Sequence, residues 1–232
     1  MIPKIIHQTA KTKDISWEER HLVDRMRSKL PDWKYKFHDD NDNEQLVMKY
    51  FPKYLEKYRA IPRGVAKADI SRLIYMFVYG GFYFDTDYKL YQKIPEWMLK
   101  KEQLLMESRE NPLEYKIGNA ILASEPGGSF YKGLIENIFE SDELSNLQEN
   151  RVELVTGPEA LTDYYMKNKE LYKNCVTIIP RLYFNPPITH YGLIVKRGKE
   201  SIGAHLCWGS WRSGSLIKRI FIYIQRKIQA LS

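Results

Sequence analysis

The chain has 232 residues, 44% of them hydrophobic, which is enough for one large core and excludes a disordered polypeptide. Thirty-six Lys and Arg against twenty-nine Asp and Glu leave a net charge of +7, an excess that suits phosphate-bearing partners or an anionic membrane surface and does not single out nucleic acid. Two cysteines, Cys175 and Cys207, lie in apolar stretches without CxxC spacing; this excludes a disulfide scaffold or thiolate metal site, fits a reducing compartment and predicts two core thiols.

The opening MIPKIIHQTA has too short an apolar run for a signal peptide, and no window approaches the ~18 apolar residues of a spanning helix. The expected location is therefore cytoplasmic, or peripheral on the inner face of the plasma membrane. A β-prone run, KIIHQ (4–8), is followed by a helical pattern over about 16–30, the strand YKFH (35–38), helices over about 43–59 and 64–79, and the strand FYF (82–84). Later come LLME (104–107), NAILAS (119–124), a helix over about 128–140, a helix opened by Gly157-Pro158-Glu159, CVTII (175–179) and SIGAHLC (201–207). Strands separated by helices of this length predict an α/β fold with a mostly parallel central sheet flanked by helices. With no internal repeat or low-complexity linker, one domain over 1–214 is expected, followed by a separate segment, 215–232.

Ligands of open α/β sheets bind at the carboxyl ends of strands, which puts His7, Gln8 and Thr9 in one crevice with Asp85 and Asp87. Two carboxylates one residue apart repel unless water or a cation intervenes. At a strand end, alternate residues project to one side, so both can face a hard Mg²⁺ or Mn²⁺ ion that also takes substrate phosphates. Upstream, Ala66, Ile70, Leu73, Ile74 and Phe77 form a core stripe, with Asp69 and Arg72 on a neighbouring face. An isolated pair of that kind is a weak surface ion pair. Here the helix runs through Gly80-Gly81 straight into the Asp-Thr-Asp strand, so the two charged pairs are expected to converge. A nucleotidyl- or phosphotransferase also uses paired carboxylates, but no GxxxxGK phosphate loop is present; a non-catalytic sugar-nucleotide-binding protein is the other alternative.

Five blocks carry a family resemblance: IPKIIHQT (2–9), AKADISRLIYMFVYGGFYFDTD (66–87), NAILASEPGG (119–128), TGPEAL (156–161) and GAHLCWGSW (203–211). In this order they resemble glycosyltransferase family 32, with a more distant likeness to clostridial glucosylating toxins. The resemblance implies a GT-A fold, the Rossmann-like fold of nucleotide-diphospho-sugar transferases. It also implies a UDP-sugar or similar nucleotide-sugar donor, Mn²⁺ or Mg²⁺, retention of anomeric configuration, and a lipid-linked oligosaccharide acceptor in bacterial capsule or O-antigen synthesis. A toxin-like protein glycosyltransferase is the alternative. Asp85 and Asp87 then hold the metal and diphosphate, with His205 as third ligand; on its own, His205 reads more often as a core histidine. Asp69 and Arg72 become the catalytic donor-sugar pair, Tyr83 and Asn119 join the donor pocket, and Ser210 and Trp211 close over the diphosphate. Where many relatives read IHQTW this chain has Ala10, so base stacking must come from elsewhere.

In SLIKRIFIYIQRKIQALS, Ile217, Ile220, Phe221, Ile224 and Ile228 share a helical face beside Lys218, Arg219, Arg226 and Lys227. Such a stripe serves core packing or an anionic membrane surface; the second is the expectation taken here.

Overall fold

The computed structural model describes residues 1–109, 116–189, 194–208 and 216–231. The strands are β1 (Ile5–Thr9), β2 (Lys34–His38), β3 (Gly81–Phe84), β4 (Tyr88–Leu90), β5 (Gln103–Arg109), β6 (Lys116–Ser124), β7 (Val176–Ile179), β8 (Ile188–Thr189), β9 (Ile194–Val195) and β10 (Gly203–His205). The α-helices are α1 (Trp17–Lys29), α2 (Asp40–Tyr50), α3 (Leu55–Ala60), α4 (Gly64–Tyr79), α5 (Glu96–Leu99), α6 (Ser129–Phe139), α7 (Val152–Val155), α8 (Pro158–Lys167), α9 (Lys169–Tyr172), α10 (Arg181–Phe184) and α11 (Leu216–Leu231).

Six strands form the central sheet in the order β2-β1-β3-β6-β5-β7. Its β1–β2, β1–β3 and β5–β7 pairings are parallel, and β6 runs antiparallel to both its neighbours. Both faces are covered, as a mostly parallel sheet requires. Phe82 and Phe84 point into one apolar layer with Ile6, Met26, Leu104 and Ile121, whereas Tyr83 points into the other with Ile70, Ile74, Leu105 and Leu122.

Helix α4 matches its expected bounds and delivers the chain to β3 through Gly80 and Gly81, whose φ angles are 61° and 96°. Only glycine takes such angles freely. A Cβ on Gly81 would stand 2.5 Å from the Ile5 carbonyl oxygen, because β3 lies close against β1 there. Gly81→Ala is expected to cost at least about 1–3 kcal/mol of backbone strain, read as a drop in Tm of roughly 2–12 °C. An unchanged Tm would show that the turn yields freely.

Two elements differ from expectation. The helix predicted over 43–59 breaks at Pro52 into α2, a 3₁₀ turn (Pro52–Tyr54) and α3, since proline has no N–H to continue the ladder. The strand predicted over 201–207 shortens to β10 and leaves the central sheet, pairing antiparallel with β4. Cys175 is half-buried and Cys207 exposed, so neither is the buried core thiol that its apolar surroundings predicted.

Candidate active site

The carboxyl ends of β1 and β3, the start of β4 and the end of β10 meet at one edge of the sheet. The pairing of β4 with β10 sets His205 opposite Tyr88, immediately after Asp85 and Asp87. His205 Nε2 lies 3.1 Å from Asp87 Oδ1 and 3.6 Å from Asp85 Oδ2. One potential ligand atom from each of the three residues lies within 4.8 Å of the others. Asp87 Oδ2 accepts the backbone N–H of Trp208 at 2.8 Å. Between His205 and Trp208, Cys207 adopts a left-handed φ of 55°, a strained turn that lets the imidazole and the Trp208 N–H reach the same carboxylate. Burial opposes charge on His205, but Asp87 and Cys207 beside it together outweigh burial and hold the imidazole well above its ordinary value. Burial likewise raises Asp87, and His205 with the Trp208 N–H outweighs it, leaving that carboxyl low. Two carboxylates and one imidazole form an O,O,N donor set that fits Mn²⁺ or Mg²⁺.

The second cluster lies on α4. Arg72 is buried and bridges the two groups: Nη1 lies 3.1 Å from Asp85 Oδ1 and Nη2 lies 3.3 Å from Asp69 Oδ1. Nη1 also donates to the Asn119 carbonyl at 2.9 Å, and the guanidinium lies over the Tyr83 ring at 4.7 Å. Asp69 accepts Asn119 Nδ2 on Oδ1 and Thr156 Oγ1 on Oδ2. The Tyr83 hydroxyl donates to Asp85 Oδ1 at 2.7 Å. Asp69 and Arg72 therefore form no solvated surface pair; they are the buried link between the Asn119–Thr156 side of the site and the Asp85–Asp87 side.

Burial pushes the Asp69 carboxyl from 3.8 up to about 7, against the pull of Arg72, Thr156 and Asn119. Because this folded-state value exceeds the unfolded one, the folded chain binds the extra proton, and the stabilising contribution fades as pH rises from about 4 to about 7. The Tm of Asp69→Asn minus that of the wild type is expected to grow over that window. A flat difference would show that Asp69 titrates as an ordinary carboxylate.

The side chains of His7, Gln8 and Thr9, expected to contact the donor, are spent inside the protein. His7 is wholly buried, with Nε2 against the Gly80 carbonyl at 3.0 Å, Nδ1 against His38 Nε2 at 3.1 Å, and its ring stacked with Tyr75 and Tyr79. Burial, then His38, push the His7 imidazole down to about 3, and burial takes His38 down to about 4, so the stack is neutral. Gln8, also wholly buried, donates to the Asp85 carbonyl at 3.1 Å and accepts the Tyr35 hydroxyl. Thr9 donates to the His38 carbonyl and accepts from Asn43. Gln8 thus fixes the turn after β3, His7 the turn before it and Thr9 the end of β2: strand spacing placed them at the right end but could not reveal how enclosed they are. Ser210 and Trp211 lie outside the described residues.

Four contributors were not singled out from sequence. Thr156 opens the TGPEAL block and supplies a hydroxyl to Asp69. Trp208 acts through its backbone N–H, which no residue pattern signals. Thr86, between the two aspartates, donates to Glu19 at 2.8 Å, and Glu19 is the reciprocal partner of Ser16 in the capping box of α1; Ser16 and Glu19 at that spacing are a readable helix-start signal. His38 completes the stack behind β1.

Residues 16–107 match a family model described as "Glycosyltransferase sugar-binding region containing DXD motif". Inositol phosphoceramide mannosyltransferase 2 of Schizosaccharomyces pombe is 26% identical over 180 residues, 75% of this chain and 49% of its own length. Inositol phosphoceramide mannosyltransferase 1 of the same yeast is 23% identical across 99% of this chain and 68% of its own length. The chain thus spans about half the length of the first and two thirds of the second. Among solved structures, the PaToxG glycosyltransferase superposes with a TM-score of 0.55 at 19% identity, covering 74% of this chain and 75% of that one. The UDP-bound glycosyltransferase domain from the YGT toxin gives 0.56 at 9% identity, covering 77% and 79%. The fold is that of GT-A glycosyltransferases.

Proposed function

We propose, for a chain whose residues 16–107 match the model of a glycosyltransferase sugar-binding region containing the DXD motif, metal-dependent transfer of a hexose from a nucleoside-diphosphate sugar to a hydroxyl of a glycolipid. The observation that carries this reading is Arg72, buried between Asp69 and Asp85, joining a sugar-hydroxyl acceptor to a metal-type carboxylate. A divalent cation held by Asp85, Asp87 and His205 would offset the charge of the diphosphate leaving group. Asp69 already accepts from Asn119, Thr156 and Arg72. Of about four lone-pair directions on a carboxylate, roughly one is left for a sugar hydroxyl. Arg72 opposes the effect of burial on the Asp69 carboxyl and fixes its distance from Asp85. Gln8 and Tyr83 hold the Asp85 backbone and side chain, and the Trp208 N–H holds Asp87.

The donor nucleotide is proposed as UDP on the strength of the ligand named for one neighbour of the same fold. For the acceptor, the names of the yeast relatives support a lipid headgroup and give no support to the capsule or O-antigen glycans expected from the family resemblance. The toxin reading rests on likeness of fold alone.

A panel of nucleotide sugars incubated with the protein, with and without Mn²⁺, tests the reading. Hydrolysis of one donor that stops on chelation is expected; hydrolysis indifferent to metal, or of no donor, would overturn it. His205→Ala is expected to weaken Mn²⁺ binding at least about tenfold by calorimetry, while metal-free nucleotide binding stays level. Unchanged Mn²⁺ affinity would return His205 to a structural role. Nuclear magnetic resonance of the product's anomeric proton would test the expected retention of configuration.

A further inference from the structure

Over residues 222–231, helix α11 turns a largely polar side inward and a largely apolar side outward. Against the body, Gln229 and Ala230 are buried: the Gln229 carbonyl accepts Lys89 Nζ at 2.7 Å, its side-chain oxygen accepts Trp208 Nε1 at 2.5 Å, and the Arg226 guanidinium lies over the Trp208 ring at 4.9 Å. Outward stand Tyr223, Ile224, Ile228 and Leu231, 55%, 52%, 46% and 68% exposed. Their spacing by one helical turn makes a continuous stripe, the part a globular helix ordinarily buries. A contiguous exposed apolar stripe marks an interaction surface.

Charge selects the occupant. Residues 216–231 contain Lys218, Arg219, Arg226 and Lys227 and no acidic residue, within a chain of net charge +7. Lys227 Nζ sits 4.7 Å over the Tyr223 ring, directly beside the stripe. A second copy would bring basic helix against basic helix, whereas an anionic lipid surface accepts the aliphatic groups at its acyl boundary and the cations at its headgroups. Among the described residues no helix is long and apolar enough to cross a membrane. We propose that α11 is an interfacial helix that seats the chain on an anionic membrane surface. This goes beyond the transfer reading and stands independently of it. The inner side of α11 touches Trp208, whose N–H holds Asp87, so the seated helix would bring the Asp85–Asp87–His205 cluster close to the lipid.

The test is cosedimentation of the full chain with vesicles of phosphatidylcholine alone and of equal parts phosphatidylcholine and phosphatidylglycerol, at low and high salt. Binding to the anionic vesicles that weakens with salt is expected. In Ile224→Asp/Ile228→Asp, binding should fall at least about tenfold, with Tm and Mn²⁺ affinity kept, since both side chains face solvent. Lys227→Glu, altering charge alone, should lower binding at low salt. No binding by the wild type, equal binding to both vesicles, or undiminished binding by the double variant would overturn the proposal. A dimer seen by sedimentation velocity that the double variant abolishes would also overturn it and assign the stripe to a second copy.

Discussion

Asp87→Asn is expected to lower transfer about a thousandfold, equivalent to roughly 4 kcal/mol of transition-state stabilisation, while circular dichroism and Tm stay close to wild type. An amide keeps an oxygen for the Trp208 N–H, so the local turn survives, but the negative charge that Asp87 offers both the cation and His205 is gone. The His205 imidazole, held well above its ordinary value chiefly by Asp87 against the effect of burial, should then titrate lower. Initial rates together with Mn²⁺ calorimetry check this. Turnover within tenfold of wild type, with Mn²⁺ affinity unchanged, would remove Asp87 from the metal site.

The second large effect is expected at Arg72. Arg72→Ala leaves Asp69 and Asp85 facing each other without the cation that separates them, and removing one partner from a buried pair costs about 3–5 kcal/mol. For a chain of this size that is a fall in Tm of roughly 6–20 °C. The family resemblance makes Arg72 and Asp69 a donor-sugar pair, which implies that nucleoside diphosphate would still bind without them. The contact with Asp85 changes the outcome for Arg72: Mn²⁺ and diphosphate binding should weaken as well, whereas Asp69→Ala should spare them and lose transfer. Thermal melts and calorimetry on the two variants separate these cases, and diphosphate binding left intact in Arg72→Ala would show that the 3.1 Å contact is incidental.

Parts of the site governed by local chemistry were legible in the sequence. Helix α4 and strand β3 fell where periodicity and the glycine pair placed them, and the convergence of Asp69, Arg72, Asp85 and Asp87 followed from that continuous path. His205 joined them only because β10 pairs with β4, a long-range pairing that no local pattern encodes. The reversed direction of β6 was hidden for the same reason. The enclosure of His7 and Gln8 depends on α4 and β2 packing against β1; β1 itself offers only alternation, which reports sides and not depth. The C-terminal segment is expected from sequence to be separate, but Gln229 is tied to Lys89 and Trp208, so deleting 215–232 would uncover the β4–β10 pair beside Asp87 as well as remove the proposed lipid contact.

That tie also bears on the order in which the molecule is assembled. Asp87 meets Trp208 across 121 residues, and Lys89 meets Gln229 across 140. At ordinary ribosomal speeds of about 5–20 residues per second, the first aspartates wait roughly 6–24 seconds for the backbone that will hold them. The central sheet through β7 can close within that interval, and the cation site cannot. A nascent chain stalled after β7 should therefore resist protease yet ignore Mn²⁺, which makes metal affinity a reporter of the last folding step.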